Sequence, residues 1–295
     1  MRALLRPASR DTPNAWARRA EVIRADLRGA TDLEGLFDGI DSVVHLAATV
    51  RGSPEAQFAG TVVATERLLA AMARAHATTH LVLAGSCAVY DWTAARRVLD
   101  EDTPTERWPY HRDGYTVAKV WQERVARRMA DEHRWTLSIL RPGLIYGPGG
   151  VPASSAGIGS GRVFFVIAPL SRLRLTHVDN CAAAFVRAVE QRAGGTFNIV
   201  DDEHVSAWRY AHRLLRSDSR AIRVPVPYVV GLGLAHIAAL ASRLLFPPAG
   251  GKLPGILKPT HYRARFKPMR YDLRRAKVHL GWKSEPLFST GSEVI

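Results

Sequence analysis

Five short runs constrain this chain more than any other feature: Arg2–Leu5 (RALL), Glu21–Ala25 (EVIRA), Ser42–Leu46 (SVVHL), His80–Ala84 (HLVLA) and Thr136–Leu140 (TLSIL). Each is nearly all apolar rather than alternating apolar and polar. Strands with that texture are buried on both faces, as in a parallel sheet. Longer helical runs lie between them, Pro54–Arg74 with its LLAAM apolar face and Tyr115–Glu132. Alternating strands and helices predict a doubly wound α/β fold.

Beyond Pro142 the texture changes. Gly and Pro become dense (GLIYGPGGVPASSAGIGSG), which reads as loops. A helix is predicted at Val178–Gln191 and a strand at Thr196–Val200. Residues 1–145 are therefore assigned to the doubly wound part. Residues 146–295 form mostly a small substrate lobe, with 176–200 returning to the first part. The length of 295 residues suits one large α/β domain, or such a domain with a small lobe.

Composition narrows the function. Charge sums to +14, which favours anionic partners such as phosphorylated cofactors. The basic residues read as spread out, without the compact basic and aromatic cluster of a nucleic-acid binder, so no nucleic-acid partner is expected. Cys87 and Cys181 form no CxxC pair and no metal-like cluster with His. Neither a disulfide framework nor a metal site is expected, and a reducing cytoplasm fits. The apolar stretch Tyr228–Phe246 approaches the length of a membrane span. It also contains glycines, His236 and Arg243, so it is read as a buried or substrate-lining helix, and membrane contact is not expected.

The chemistry centres on Tyr115-Thr-Val-Ala-Lys119. At i and i+4 of a helix the two side chains share a face. A tyrosine titrates near 10, and a close lysine cation lowers that value by favouring the phenolate. This is how a phenol becomes a general acid or base near neutrality. The strand His80–Ala84 runs into Gly85-Ser86-Cys87-Ala88-Val89-Tyr90. Ligands of open α/β sheets bind at the carboxyl ends of strands, so Ser86 stands where a donor to a substrate oxygen belongs.

The ordered set Asp26-Leu-Arg, Val44-His-Leu-Ala-Ala48, Gly85-Ser-Cys-Ala-Val-Tyr90, YTVAK, Leu140-Arg-Pro-Gly-Leu-Ile-Tyr-Gly-Pro148 and His177-Val-Asp-Asn180 resembles the extended short-chain dehydrogenase/reductases, also called the NAD-dependent epimerase/dehydratase family. The resemblance spans roughly residues 1–200, and Leu280-Gly-Trp282 resembles the family's closing segment. It implies that the doubly wound part is a Rossmann-type dinucleotide-binding fold, with a Ser86/Tyr115/Lys119 catalytic set. Lys119 would both tune Tyr115 and hold a ribose hydroxyl. The resemblance also implies cofactor contacts from Asp26 and Leu27 at the adenine, from Leu46, Ala47, Ala48 and Thr65, and from Pro142 and Gly143 beside the nicotinamide. Asp179 would cap a helix. A homodimer through the 54–74 and 115–132 helices is implied as well.

Three departures qualify the resemblance. The family opens with a strand and a GxxGxxG turn, whose glycines let the backbone approach the pyrophosphate. No such motif occurs here, and RALLRP resembles the family's second strand. The first strand, turn and helix, roughly 25–30 residues by the size of such a unit, are expected to be missing. A shortened form of a full enzyme is expected over a degenerate relic, and dinucleotide affinity is expected to be weak or absent. Thr61 stands where Asn is usual, and Gly85 where a second Ser is common. Arg6 and Arg10 after the first strand favour the 2′-phosphate of NADP over NAD.

The leading expectation is a cytoplasmic NAD(P)-dependent oxidoreductase acting on a secondary alcohol or ketone of a small, apolar molecule. The alternative enzyme is a nucleotide-sugar epimerase or dehydratase, with Arg162, Arg172 and Arg174 as candidates for a diphosphate. Cys87 and Ala88 after Ser86 argue against dehydration, which usually needs acids there. A non-catalytic NADP sensor or relic is the alternative from another class.

Overall fold

The structure is a computed structural model that describes residues 1–7, 19–29, 33, 35–75, 79–148, 155–216, 220–245 and 255–290. Arg10 lies outside the described residues.

The predicted runs form strands. They are β1 (Arg2–Leu5), β2 (Glu21–Arg24), β3 (Ser42–His45), β4 (His80–Ala84) and β6 (Thr136–Pro142), with the two-residue β5 (Val98–Leu99) between the last two. A four-stranded parallel sheet has the order β11-β6-β4-β3, where β11 is Gly195–Ile199. Its central strand β4 is fully buried through Leu83, as its unbroken apolar run requires. β1 and β2 pair in parallel as a ladder of their own. The two ladders share one core, in which Leu4 and Val43 pack against Leu69, Met72, Leu81 and Leu83.

Helices cover the sheet. The stretch predicted at 54–74 is α1 (Pro54–Phe58), a π-helical turn (Ala59–Val63) and α2 (Ala64–Ala75). In that turn Gly60 lets the helix approach the loop after β3, since a Cβ there would clash with the Thr49 side chain. Thr61 Oγ1 accepts from the Thr49 backbone N–H (3.0 Å), so this departure from the family pattern holds the loop after β3. Helix α3 (Gly114–His133) starts at Asp113, whose carboxylate accepts from Thr116 N–H and caps it. It is fastened to the sheet by Glu123, which meets Arg141 of β6 at 2.6 Å with both side chains buried.

The chain crosses to the second lobe after β6. β7 (Leu144–Tyr146) pairs with β10 (Leu175–His177), and β8 (Gly157–Ser160), β9 (Val163–Ile167) and β12 (Ile222–Val226) form a three-stranded sheet. Between them, α4 (Val178–Gln191) and β11 return to the first sheet. The cap of α4 is His177, whose Nδ1 accepts from the Asp179 N–H (3.2 Å); Asp179 was expected to be the cap. Asp179 instead sits in the first turn, where its charge suits the helix dipole.

The closing part contains α5 (Ala207–Leu214), α6 (Tyr228–Leu245), α7 (Pro259–Phe266), β13 (Arg270–Tyr271), which pairs with β5, α8 (Arg274–His279) and α9 (Leu287–Thr290). The tail is tied back by Trp282 Nε1, which donates to the Asn180 carbonyl (2.9 Å). Helix α6 departs from expectation. It buries only Gly231, Ala235 and Ser242, all small, so one narrow side packs on α7 and the large residues face outward.

Candidate active site

Two cavities meet at Tyr115. The larger, about 590 Å³, opens at the carboxyl ends of β3, β4 and β6. Its walls include Leu46, Ala48, Pro142, Gly143, Val178 and Phe185, and its polar groups include Ser86, Tyr115 and Lys119. The smaller, about 330 Å³, lies between the two lobes and α7. Tyr115, Ala88, Leu144 and Arg174 line both.

Ser86 caps the short 3-10 turn after β4, and its Oγ accepts from the Ala88 N–H (3.1 Å). The hydroxyl proton stays available to a ligand. Ser86 and Tyr115 line the same cavity. Burial pushes the Tyr115 phenol up, the Ser86 hydroxyl pulls it down, and Asp113 and Cys87 push it up further. Lys119 Nζ donates to the Ala84 carbonyl (2.8 Å) and Gln122 Oε1 (2.8 Å). Burial lowers the Lys119 ammonium to about 8. Two of its three donors are used, which leaves one for a ligand.

Gln122 was missed by sequence reading. It is fully buried, and its Nε2 donates to Thr65 Oγ1 (2.9 Å) and the Ala47 carbonyl (3.3 Å). His45 Nε2 lies 2.8 Å from the same Thr65 oxygen, and burial lowers that imidazole to about 3. The spacing of Gln122 three residues after Lys119 was the only signal, since residues three apart are neighbours on a helix.

The structure thus brings Ser86, Tyr115, Lys119, Leu46, Ala48, Pro142 and Gly143 to one cavity. Ala47 and Thr65 stand behind it in the Gln122 network. Leu27 is packed into the core. The Arg28 guanidinium, bonded to Asp26, lowers the Asp26 carboxyl to about 2. The carbonyl of Arg6 accepts from Arg24 Nη1 (3.4 Å). Arg6, Asp26 and Leu27 line neither cavity. Cys87 is buried with its thiol pushed up to about 12, which makes it inert packing.

The smaller cavity is cationic. Arg112, Arg172, Arg174, Arg265 and Lys267 line it, against one acid, Asp113. Arg174 donates to the Ala264 carbonyl (2.9 Å) and lies 4.6 Å from the centre of the Trp92 ring. Arg172 Nη2 donates to the Asp201 carbonyl (2.5 Å), while its buried Nε has no hydrogen-bond partner among the described residues. Arg112 Nε, Ser155 Oγ and His261 Nε2, also from lining residues, are buried without a partner in the same sense. No residue of α6 lines this cavity, so the apolar stretch gives no support for an apolar substrate.

A parallel α/β sheet with helices on both faces and polar groups gathered at its carboxyl edge defines a protein of the nucleotide-binding, doubly wound class. The pattern of the "NAD dependent epimerase/dehydratase family" matches residues 3–200, and the chain belongs to that family. It is 25% identical over 283 residues to a 3beta-hydroxysteroid-dehydrogenase/decarboxylase of Arabidopsis thaliana, covering 90% of this chain and 63% of that one. The chain thus spans less than two thirds of that relative's length. It is 27% identical to the sterol-4-alpha-carboxylate 3-dehydrogenase of Candida albicans, covering 92% of this chain and 80% of that one. Its fold is that of UDP-glucuronic acid 4-epimerase from Bacillus cereus, solved with NAD, at a TM-score of 0.65 and 19% identity, covering 94% and 79% of the two chains.

The residues present fit one half of a nicotinamide dinucleotide. Flat apolar walls beside Ser86, Tyr115 and Lys119 suit a nicotinamide and its ribose. For the pyrophosphate, the sequence contains no GxxGxxG turn.

Proposed function

We propose that the chain is a nicotinamide-dependent oxidoreductase acting at a secondary alcohol or ketone of an anionic small molecule. The observation that carries this reading is the place of Tyr115, which lines one cavity wall with Ser86, at the junction of an apolar-walled cavity and a cationic one. When bound, a nicotinamide supplies or accepts the hydride. In the reducing direction Tyr115 donates its phenolic proton to the carbonyl oxygen, and Ser86 donates a hydrogen bond to the same oxygen. The one unused Lys119 donor is assigned to a ribose hydroxyl. Residues Leu46, Ala48, Pro142 and Gly143 hold the ring and exclude water.

The excess of cations over acids in the smaller cavity favours a substrate with a carboxylate or phosphate. The Candida albicans relative, a sterol-4-alpha-carboxylate 3-dehydrogenase, agrees with a carboxylate. The same cations also support the second reading, a nucleotide-sugar epimerase; in that case a diphosphate pairs Arg172 and Arg174. The preference for NADP rests on Arg6 and Arg10. With no glycine turn in the sequence, dinucleotide affinity is expected to be weak. A reducing cytoplasm is the compartment that suits the two buried free thiols.

The test is a turnover screen with hydroxy and keto substrates, each in anionic and neutral form, run on the protein and on Tyr115→Phe. Loss of the phenolic proton should reduce turnover by about 10²–10⁴-fold without lowering the melting temperature. Equal turnover in the two proteins would reject Tyr115 as the acid and favour the sensor reading.

A further inference from the structure

Helix α6 is eighteen residues long, and by length and composition it is apolar enough to cross a membrane. A helix apolar all round is normally buried. This one is not. Val229, Val230, Leu234, Ile237, Leu240, Leu244 and Leu245 are each between 50% and 72% exposed. The buried side is made of Gly231, Ala235 and Ser242. The fit there is close: a Cβ on Gly231 would stand 2.0 Å from Tyr262 Oη of α7. Tyr262 and Phe266 of α7 share a small core with Ala235, Leu232 and Tyr228. The helix is therefore anchored along one side and presents a broad apolar face to the outside. Contiguous apolar surface of this kind marks an interaction site.

The surrounding charge says what covers it. The positive charge is not spread evenly along the chain. Residues 219–270 contain nine Lys and Arg and no Asp or Glu. Arg220, Arg243 and Lys258 are exposed, and Arg263 of α7 lies 3.4 Å from His236 of α6. A second copy of this chain would bring the same positive charge face to face, which is unfavourable. An anionic bilayer answers both features, because its acyl boundary takes the apolar side chains and its headgroups take the cations. The close packing of Gly231, Ala235 and Ser242 against the fold suits a helix lying in the interface rather than one crossing it.

We propose that α6 and its basic surround dock the protein on the surface of an anionic membrane. The docked face lies one helix away from the cationic cavity, since Ala264, Arg265 and Phe266 of α7 line that cavity. Docking rests on α6 and its charges, not on the proposed reaction, and each can fail without the other.

The test is co-flotation of the full chain with vesicles of phosphatidylcholine alone, and of phosphatidylcholine and phosphatidylglycerol in equal parts. The variant is Leu234→Gln/Ile237→Gln, at two exposed positions whose change leaves the buried side intact. Circular dichroism and the melting temperature confirm that the variant folds. The protein should float with the mixed vesicles, bind phosphatidylcholine far less, and detach as salt rises. The double variant should lower the partition coefficient by roughly tenfold or more, given the apolar area removed from the bilayer. Absence of flotation with mixed vesicles overturns the proposal, as does flotation that the variant leaves unchanged. Dimerisation that the variant abolishes, without vesicle binding, would assign the face to a second copy. Vesicle binding that resists alkaline extraction would mean that the helix spans the bilayer. Either of these results also overturns the proposal.

Discussion

Lys119 shows what tertiary structure adds to a spacing motif. The YxxxK spacing placed Tyr115 and Lys119 on α3, and both line the larger cavity. What spacing could not show is where the ammonium points. The Ala84 carbonyl at the end of β4 and Gln122, three residues on along the same helix, capture it. Burial holds the Lys119 ammonium near 8, below its ordinary value of 10.5. Between those values the unfolded chain carries more protons than the native one, so this group makes stability rise as pH increases through that window. In denaturant titrations at a series of pH values, the stability difference between the protein and Lys119→Met should climb from pH 8 toward 10.5. A flat difference would mean that Lys119 is not buried as an ammonium. Thr65 and Leu27 teach a similar lesson. Both were expected at the cofactor; Thr65 sits inside the Gln122 network and Leu27 in the core, settings decided by neighbours distant in sequence.

At the scale of elements, the strands were legible because fully buried parallel strands are written as apolar runs. The bounds of β1 and β4 agree with the sequence reading, as do those of α4. The second lobe was not legible in this way. Its β8 is Gly-Ile-Gly-Ser, which carries no strand texture, and its register comes from β9 across a hairpin. The element that positions the site is α3, and its strongest tie is the buried Glu123–Arg141 pair. Arg141 also lies 4.6 Å from the centre of the Tyr90 ring. Glu123→Leu leaves Arg141 charged and unpaired in the interior, which should cost about 3–5 kcal/mol. Chemical denaturation measures this. A loss below about 1 kcal/mol would mean that the pair is solvated in solution. Gly143 shows how closely the two lobes approach, since a Cβ there would stand 2.4 Å from the Arg174 carbonyl oxygen.

At the scale of the whole molecule, function lies in convergence. The cationic cavity gathers Arg112, Arg172, Arg174, His261 and Lys267 from separate parts of the chain. No local pattern announces that gathering, although Arg172 and Arg174 were noticed as candidates for a diphosphate. The outward face of α6 was also hidden, because an all-apolar helix reads as buried until its only partner side is seen to be small. The central claim is that the larger cavity holds the nicotinamide end of a dinucleotide against Ser86, Tyr115 and Lys119. Saturation-transfer NMR tests it directly, because the method detects weak binding. NADPH and NADH would each be titrated into the protein and into Ala48→Trp, which fills the cavity. The account predicts strong transfer to the nicotinamide and its ribose, less to the adenine, and loss of the nicotinamide signal in the variant. Transfer that is dominated by the adenine, unchanged by the variant, or absent altogether would contradict it.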